Sequence, residues 1–154
     1  MWGFSSSPLV VDDVVVVAAA GKLVAYDVSN GKPRWYGADD KGGYSSPHFA
    51  TLDGSPQVVF TNAAGVNSLA PATGDLLWQY KLPEGTRIVQ PPIVSNDIVV
   101  GDGDGKNIRR IAVSHESGKW DAKERWNSIG LKPYFNDFVV HKGNAYGFDG
   151  TYIS

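Results

Sequence analysis

The side chains of this sequence that could do chemistry are an acidic glycine-rich run and three histidines. Residues 101–107 read Gly-Asp-Gly-Asp-Gly-Lys-Asn, which is the composition of a calcium-binding loop. The EF-hand pattern needs an Asp or Asn where Lys106 stands and a Glu near Val113, so we interpret the run as a turn between strands. The histidines are too scattered to predict a metal site: His48, His115 and His141.

The composition excludes several classes of function. The chain of 154 residues has no cysteine, which excludes disulfides and thiolate metal ligands. Its 14 Lys and Arg against 16 Asp and Glu give a net charge of −2, so no nucleic-acid partner is expected. The apolar run from Val14 to Ala20 is far shorter than the ~20 residues that span a bilayer. No signal peptide is predicted, because the first Lys is Lys22, after that run.

An internal repeat must supply the elements that position any site. Gly31 and Gly74 are 43 residues apart, and Gly74 and Gly118 are 44 apart. Each copy contains short runs of Val, Ile, Phe and Tyr bounded by Gly, Asp, Asn and Ser, which is typical of strands. Asn30-Gly31 predicts a type I′ hairpin turn. A period of this length indicates four-stranded β-propeller blades.

The repeat therefore predicts an all-β protein. Residues 1–154 are expected to form a single partial β-propeller domain of four-stranded antiparallel blades. The predicted blades occupy residues 4–37, 44–80, 88–128 and 131–154, about three and a half to four blades in all.

Residues 25–35, Ala-Tyr-Asp-Val-Ser-Asn-Gly-Lys-Pro-Arg-Trp, resemble the Ala-x-Asp-x-x-Thr-Gly-Lys-x-x-Trp repeat of pyrroloquinoline-quinone-like β-propellers. That quinoprotein-type family includes alcohol dehydrogenases and the bacterial outer-membrane assembly lipoprotein. Residues 69–78 are a second copy, with Ala70 at the position of the Asp. A third copy has Ser114 at that position and an insertion before its Trp.

The resemblance implies structural roles for the repeat residues, since the signature Trp of such propellers docks against the next blade. Asp27 is expected to accept hydrogen bonds from the turn that follows it. The residues with implied structural roles are Asp27, Gly31, Trp35, Gly74, Trp78, Gly118 and Trp126.

A quinoprotein dehydrogenase would need more than the repeat supplies. The family's enzymes hold a quinone over a Trp, with a calcium ion, an Asp base and often adjacent cysteines. This sequence has no cysteine, half the blades of such a ring, and no residue that matches the base by motif. We therefore expect no catalytic residue, cofactor or metal, and a non-catalytic module that binds protein or forms half of a larger ring. The alternatives are a fragment of a quinoprotein oxidoreductase that uses pyrroloquinoline quinone, or of a carbohydrate-active propeller.

The candidate binding positions are the starts of the innermost strands, which carry the Ser-Pro or Pro-Pro signature. Side chains there would line the mouth of a central channel, although they can also serve only to start the strand. The candidates are Ser6, Ser7, Ser45, Ser46, Gln90 and Lys132.

The strand count leads to a prediction about assembly. Trp2 precedes Pro8 by six residues, much as Trp126 precedes Pro133 by seven, so Trp2 is expected to end the outer strand of a preceding blade. An open half-ring would expose apolar faces and unpaired strands. We predict a homodimer that forms one eight-bladed ring, with each Trp2 strand completing the last blade of the other chain. The resemblance implies a periplasmic or secreted location.

Overall fold

The computed structural model describes residues 5–19, 22–37, 42–150 and 152–153 of the chain. Every regular element within these residues is a β-strand or a turn, which confirms the all-β prediction. Twelve of the strands form three antiparallel sheets in which the strand order follows the chain. Among the described residues, no helix is long and apolar enough to cross a membrane.

The three sheets have the same four-strand plan. Sheet 1 contains β1 (Leu9–Val11), β2 (Val14–Ala19), β3 (Lys22–Asp27) and β4 (Pro33–Tyr36). Sheet 2 contains β5 (His48–Leu52), β6 (Ser55–Asn62), β7 (Gly65–Leu69) and β8 (Leu76–Lys81). Sheet 3 contains β9 (Ile93–Val94), β10 (Asp97–Gly101), β11 (Ile108–Glu116) and β12 (Lys119–Ser128).

Two short hairpins follow sheet 3. The first pairs β13 (Val139–His141) with β14 (Asn144–Tyr146), and the second pairs β15 (Phe148–Asp149) with β16 (Tyr152–Ile153). Only Gly147 separates β14 from β15, and a Cβ atom there would lie 2.6 Å from the Cβ of Phe138. The predicted strand at Trp2 lies outside the described residues.

The core consists of apolar layers between successive sheets. Along β6, Val58 and Phe60 pack towards sheet 1, whereas Val59 packs towards sheet 3. Because successive side chains of a strand point to opposite faces, a strand between two sheets must be apolar on both. A third layer joins Val99 and Ile108 of sheet 3 to residues of the last hairpins.

The turn predicted at Asn30-Gly31 is wrong in type. A type I′ turn needs positive φ at both central residues, and here only Gly31 has one, at 68°. The β3–β4 connection is wider, because the N–H of Asp27 donates to Lys32 O and the N–H of Gly31 donates to Asp27 O, both at 2.8 Å. In sheet 3, by contrast, Ser117 and Gly118 have φ of 51° and 75° and join β11 directly to β12.

The register of sheet 3 also corrects the alignment of the third repeat. In each sheet a β-bulge lies beside the signature Trp, which pairs with Ala25, Ser68 or Arg110. The residue two positions after Arg110 is Ala112, so Ala112, not Ser114, takes the place of Asp27. The inserted residues therefore lengthen the β11–β12 hairpin beyond the repeat.

Candidate functional site

A cleft of about 480 Å³ opens beside the starts of the first strands of successive sheets. Its described lining comes from four consecutive repeats, in each case just ahead of β1, β5, β9 or β13. None of these side chains is charged, and four of the six are aromatic or aliphatic. We call this the inner cleft, lined by Ser5, Tyr44, Thr86, Ile88, Tyr134 and Phe135.

An aromatic pair dominates one wall of the inner cleft. The rings of Tyr134 and Phe135 have centroids 4.3 Å apart and meet edge to face at 65°. This arrangement is favoured by the charge distribution of aromatic rings. Phe135 nevertheless remains 73% exposed, so the pair presents apolar surface to solvent. Such a surface is suited to an apolar side chain of a ligand.

The structure brings three of the six predicted binding residues together. The N–H of Ser7 donates to Ser46 Oγ at 2.9 Å, which links the strand starts of sheets 1 and 2. Gln90 Nε2 donates to the carbonyl oxygens of Pro47 at 3.1 Å and Ser46 at 3.4 Å, which links sheets 2 and 3. These contacts hold neighbouring strand starts to one another.

The other three predicted residues lie apart from that group. Ser45 is fully buried, with Oγ 3.5 Å from the carbonyl oxygen of Val89. Ser6 Oγ donates to the carbonyl of its neighbour Ser7, and Lys132 Nζ forms an ion pair with Asp149. None of the six is among the described side chains that line the inner cleft. Their contact with a ligand remains a prediction.

Sequence reasoning missed the aromatic side chains of the inner cleft. Tyr44 directly precedes Ser45, and Tyr134 and Phe135 directly follow Pro133, so both groups lie next to the signature that marks the strand start. An aromatic residue beside that signature is the signal that could have found them.

The three signature Trp residues have different surroundings. Trp35 crosses to sheet 2, where its Nε1 donates to the carbonyl oxygen of Pro71 at 2.8 Å. Trp78 remains within its own sheet, since its Nε1 donates to Oε1 of the buried Gln57 at 2.8 Å. Trp126 is 39% exposed. Only the first of them places its N–H on a neighbouring sheet.

Comparisons with known proteins agree with this geometry. The family model described as outer membrane protein assembly factor BamB matches residues 3–150. The chain belongs to this family. The crystal structure of BamB from Moraxella catarrhalis has a TM-score of 0.60 at 19% identity, covering 92% of this chain and 42% of the BamB chain. The present chain thus spans about two fifths of that relative. A search of curated proteins found no match.

Arg87 has a structural role in this member of the BamB family. Its side chain is buried and lies between sheets 2 and 3. The guanidinium donates to five backbone carbonyl oxygens, at distances from 2.7 to 3.3 Å: those of Asn62, Ala63, Pro83, Gly85 and Gly101. Burial lowers the pKa of Arg87, although nearby carboxylates oppose the shift. All of its donor nitrogens are therefore engaged in holding backbone segments together.

The acidic run that resembles a calcium loop is likewise engaged within the fold. Asp102 binds Arg109 through two hydrogen bonds, at 2.5 and 2.7 Å, and Arg109 also pairs with Glu124. Hydrogen bonds from Asn127 and Arg109 lower the pKa of Glu124. Asp104 accepts from the N–H of Thr86 at 3.1 Å. Among the described residues, no group of three or more His, Asp or Glu side chains is arranged to hold a metal ion.

Proposed function

We propose that this chain is a non-catalytic propeller module that binds another protein. The family's description as an outer membrane protein assembly factor supports a role for it in the assembly of such proteins. The observation that carries the proposal is the inner cleft, whose aromatic and aliphatic lining comes from four consecutive repeats.

The chemistry of the inner cleft favours a peptide over a charged small molecule. Its lining offers two hydroxyl-bearing residues of small size, Ser5 and Thr86, beside the aromatic pair and Ile88. Pockets that bind apolar side chains combine such surfaces with few polar groups. The guanidiniums of Arg87 and Arg109 make their hydrogen bonds within the fold. An extended segment with an apolar or aromatic side chain therefore fits the cleft best.

A selection from random peptides tests this proposal. We expect the chain to enrich peptides with an apolar or aromatic anchor, and Phe135→Ser to weaken the best of them about tenfold, a loss of ~1.4 kcal/mol. The matched control is Ile129→Ser, because Ile129 is 74% exposed and lies outside the described lining of the cleft. Equal loss in both variants, or no enriched peptide, would contradict the proposal.

Two titrations test the enzymatic alternatives. Pyrroloquinoline quinone is added with calcium, and an artificial electron acceptor dye is followed after an alcohol is supplied. Tight quinone binding with dye reduction would replace the scaffold with an oxidoreductase. Specific retention on a glycan array, lost in Phe135→Ser, would instead indicate a carbohydrate ligand.

We also propose that the chain associates into a homodimer that forms one eight-bladed ring. Exposed apolar residues at both ends of the sheet series support it. Val10 and Tyr36 of sheet 1 are 65% and 61% exposed, and Val139 and Ile153 of the last hairpins are 62% and 79% exposed. A stable monomer of 16.6 kDa in light scattering at micromolar concentration would contradict the dimer. A dimer that survives deletion of residues 1–4 would contradict strand exchange.

A further inference from the structure

The contact of Trp35 with sheet 2 defines what a docked indole requires. The turn that receives it has the N–H of Gly74 donating to Ala70 O at 2.8 Å and the N–H of Ala70 donating to Asp75 O at 2.9 Å. Pro71 supplies the carbonyl that accepts the indole N–H. Gly74 has φ +75°, and a Cβ atom there would lie 2.5 Å from the indole ring of Trp35. The turn is a carbonyl acceptor beside a glycine surface on which the ring lies.

The β3–β4 turn of sheet 1 has the same backbone. The N–H of Gly31 donates to Asp27 O, the N–H of Asp27 donates to Lys32 O, and Gly31 has φ +68°. Val28 stands where Pro71 stands in sheet 2, so its carbonyl is the matching acceptor. Among the described residues, no heavy atom lies within 4 Å of the Cβ position of Gly31. We call residues 27–32 the first socket.

The first socket is held in shape without an occupant. The carboxylate of Asp27 accepts from the N–H of Ser29 at 2.9 Å and of Asn30 at 3.2 Å. Arg34 binds the same carboxylate at 2.7 Å. A site that is already ordered loses little conformational entropy when a ligand arrives. Val28 is 53% exposed, so its surface is open to solvent.

The first socket also adjoins an uncovered sheet face. Val10, Val15 and Tyr26 point away from the layer that packs on sheet 2, as the alternation with Val11, Val14 and Ala25 requires. Val10 is 65% exposed. The corresponding faces of sheets 2 and 3 are covered by the preceding sheet. The occupant of the first socket must therefore bring apolar surface as well as an indole.

We propose that the first socket binds a tryptophan side chain presented on the outer strand of another propeller blade of the same repeat type. The inference rests on the proposed role of the chain as part of a larger ring, since it names the contact by which a neighbouring blade docks on sheet 1. The docked Trp35 supplies the template: the indole lies on Gly31 and its N–H donates to the carbonyl of Val28. The solved BamB chain is more than twice as long as the stretch matched here, which provides for such neighbours in this family.

The test uses N-acetyl-L-tryptophanamide as the probe and nuclear magnetic resonance of the ¹⁵N-labelled chain as the readout. It is run in the wild type and in Trp2→Ala, so that the N-terminal indole of the chain does not compete. We expect saturable shifts of the amide signals of residues 28–32, with a dissociation constant on the order of millimolar for so small a ligand. The analogue methylated at the indole nitrogen cannot donate, and we expect it to bind about fivefold more weakly.

A matched pair of variants locates the contact. Gly31→Asn places a side chain on the surface that the indole needs, and Asn tolerates positive φ. Gly118→Asn is the control, because Gly118 has φ +75° and equally open surroundings among the described residues, but lies in a two-residue turn. We expect probe binding to weaken at least about fivefold in the first variant and to remain unchanged in the second.

The possible outcomes separate this inference from the proposed function. No saturable shift at residues 28–32 in Trp2→Ala, or equal binding by Gly31→Asn, would overturn the first socket. Shifts that appear only in Trp2→Ala would support it, with the chain's own indole as competitor. Peptide binding in the inner cleft depends on Phe135 and not on Gly31, so either proposal can fail while the other stands.

Discussion

The junction between sheets 1 and 2 and the junction between sheets 2 and 3 join copies of one repeat by different chemistry. At the first junction, Trp35 reaches across to the carbonyl of Pro71 and lies on Gly74. At the second, Trp78 keeps its hydrogen bond within sheet 2, on Gln57. Arg87 supplies the polar contacts across the second junction instead, through carbonyls of both sheets.

The lengthened hairpin of sheet 3 explains the difference. Its two-residue turn at Ser117-Gly118 replaces the wide turn that receives an indole in sheet 2. The hairpin is held to sheet 2 by another contact, since the N–H of His115 donates to Asp53 Oδ2 at 2.6 Å. A repeat can therefore conserve its Trp in sequence while the acceptor of the indole N–H changes from one junction to the next.

The largest expected effect comes from emptying the first junction. Trp35→Ala removes a buried indole and its hydrogen bond, and we expect the free energy of unfolding to fall by about 4 kcal/mol. Urea denaturation followed by circular dichroism measures it. Trp126→Ala is the control, because Trp126 is 39% exposed and should cost less. Equal losses would remove the distinction between a docked and an undocked signature Trp.

Removing the cation tests the second junction in the same way. Arg87→Met keeps the length of the side chain but leaves buried carbonyl oxygens without a donor, so we expect a loss of about 3 kcal/mol. The control is Arg34→Met, whose guanidinium pairs at the surface with Asp13 and Asp27. Exposed pairs contribute at most about 1 kcal/mol. A loss in Arg87→Met no larger than in Arg34→Met would mean that the carbonyls do not depend on Arg87.

The contrast between these residues shows what the sequence could predict. The period of Gly31, Gly74 and Gly118 predicts the sheets, because strand and turn chemistry is local. Arg87 belongs to no copy of the motif, and its five acceptors come together only when two sheets pack. The aromatic lining of the inner cleft is hidden for the same reason, since Tyr44 and Phe135 meet only through the curvature of the sheet series. The acceptor of Trp78 depends on Gln57, which no repeat position indicates.

A glycine comparison tests the template behind the first socket. Gly74→Ala must accommodate positive φ and also a Cβ atom 2.5 Å from the ring of Trp35, whereas Gly31→Ala meets only the first requirement. Positive φ costs an alanine about 1 kcal/mol. We expect Gly74→Ala to lose about 2 kcal/mol more than Gly31→Ala, because overpacking adds to the strain. Thermal unfolding of both variants measures the difference. Equal losses would show that the Trp35 ring yields to the added methyl group.

The smallest expected effect is a pH dependence confined to the second junction. His48 pairs with Val59 across β5 and β6, so it lies on the face of sheet 2 that packs towards sheet 3. Burial lowers the pKa of His48 from its usual 6.5. The unfolded chain therefore binds a proton at a pH where the folded chain does not, and protonation favours unfolding.

The sign of this effect follows directly. The stability that depends on neutral His48 is fully present above pH 6.5 and is lost as the pH falls below 6.5 towards the lowered folded pKa. We expect urea midpoints to decline over that interval and His48→Gln to flatten the decline, because glutamine carries no titrating proton there. Gly74→Ala, which weakens only the first junction, should keep the wild-type slope. An unchanged slope in His48→Gln would assign the acid sensitivity to other groups, and a flattened slope in Gly74→Ala would place it at the wrong junction.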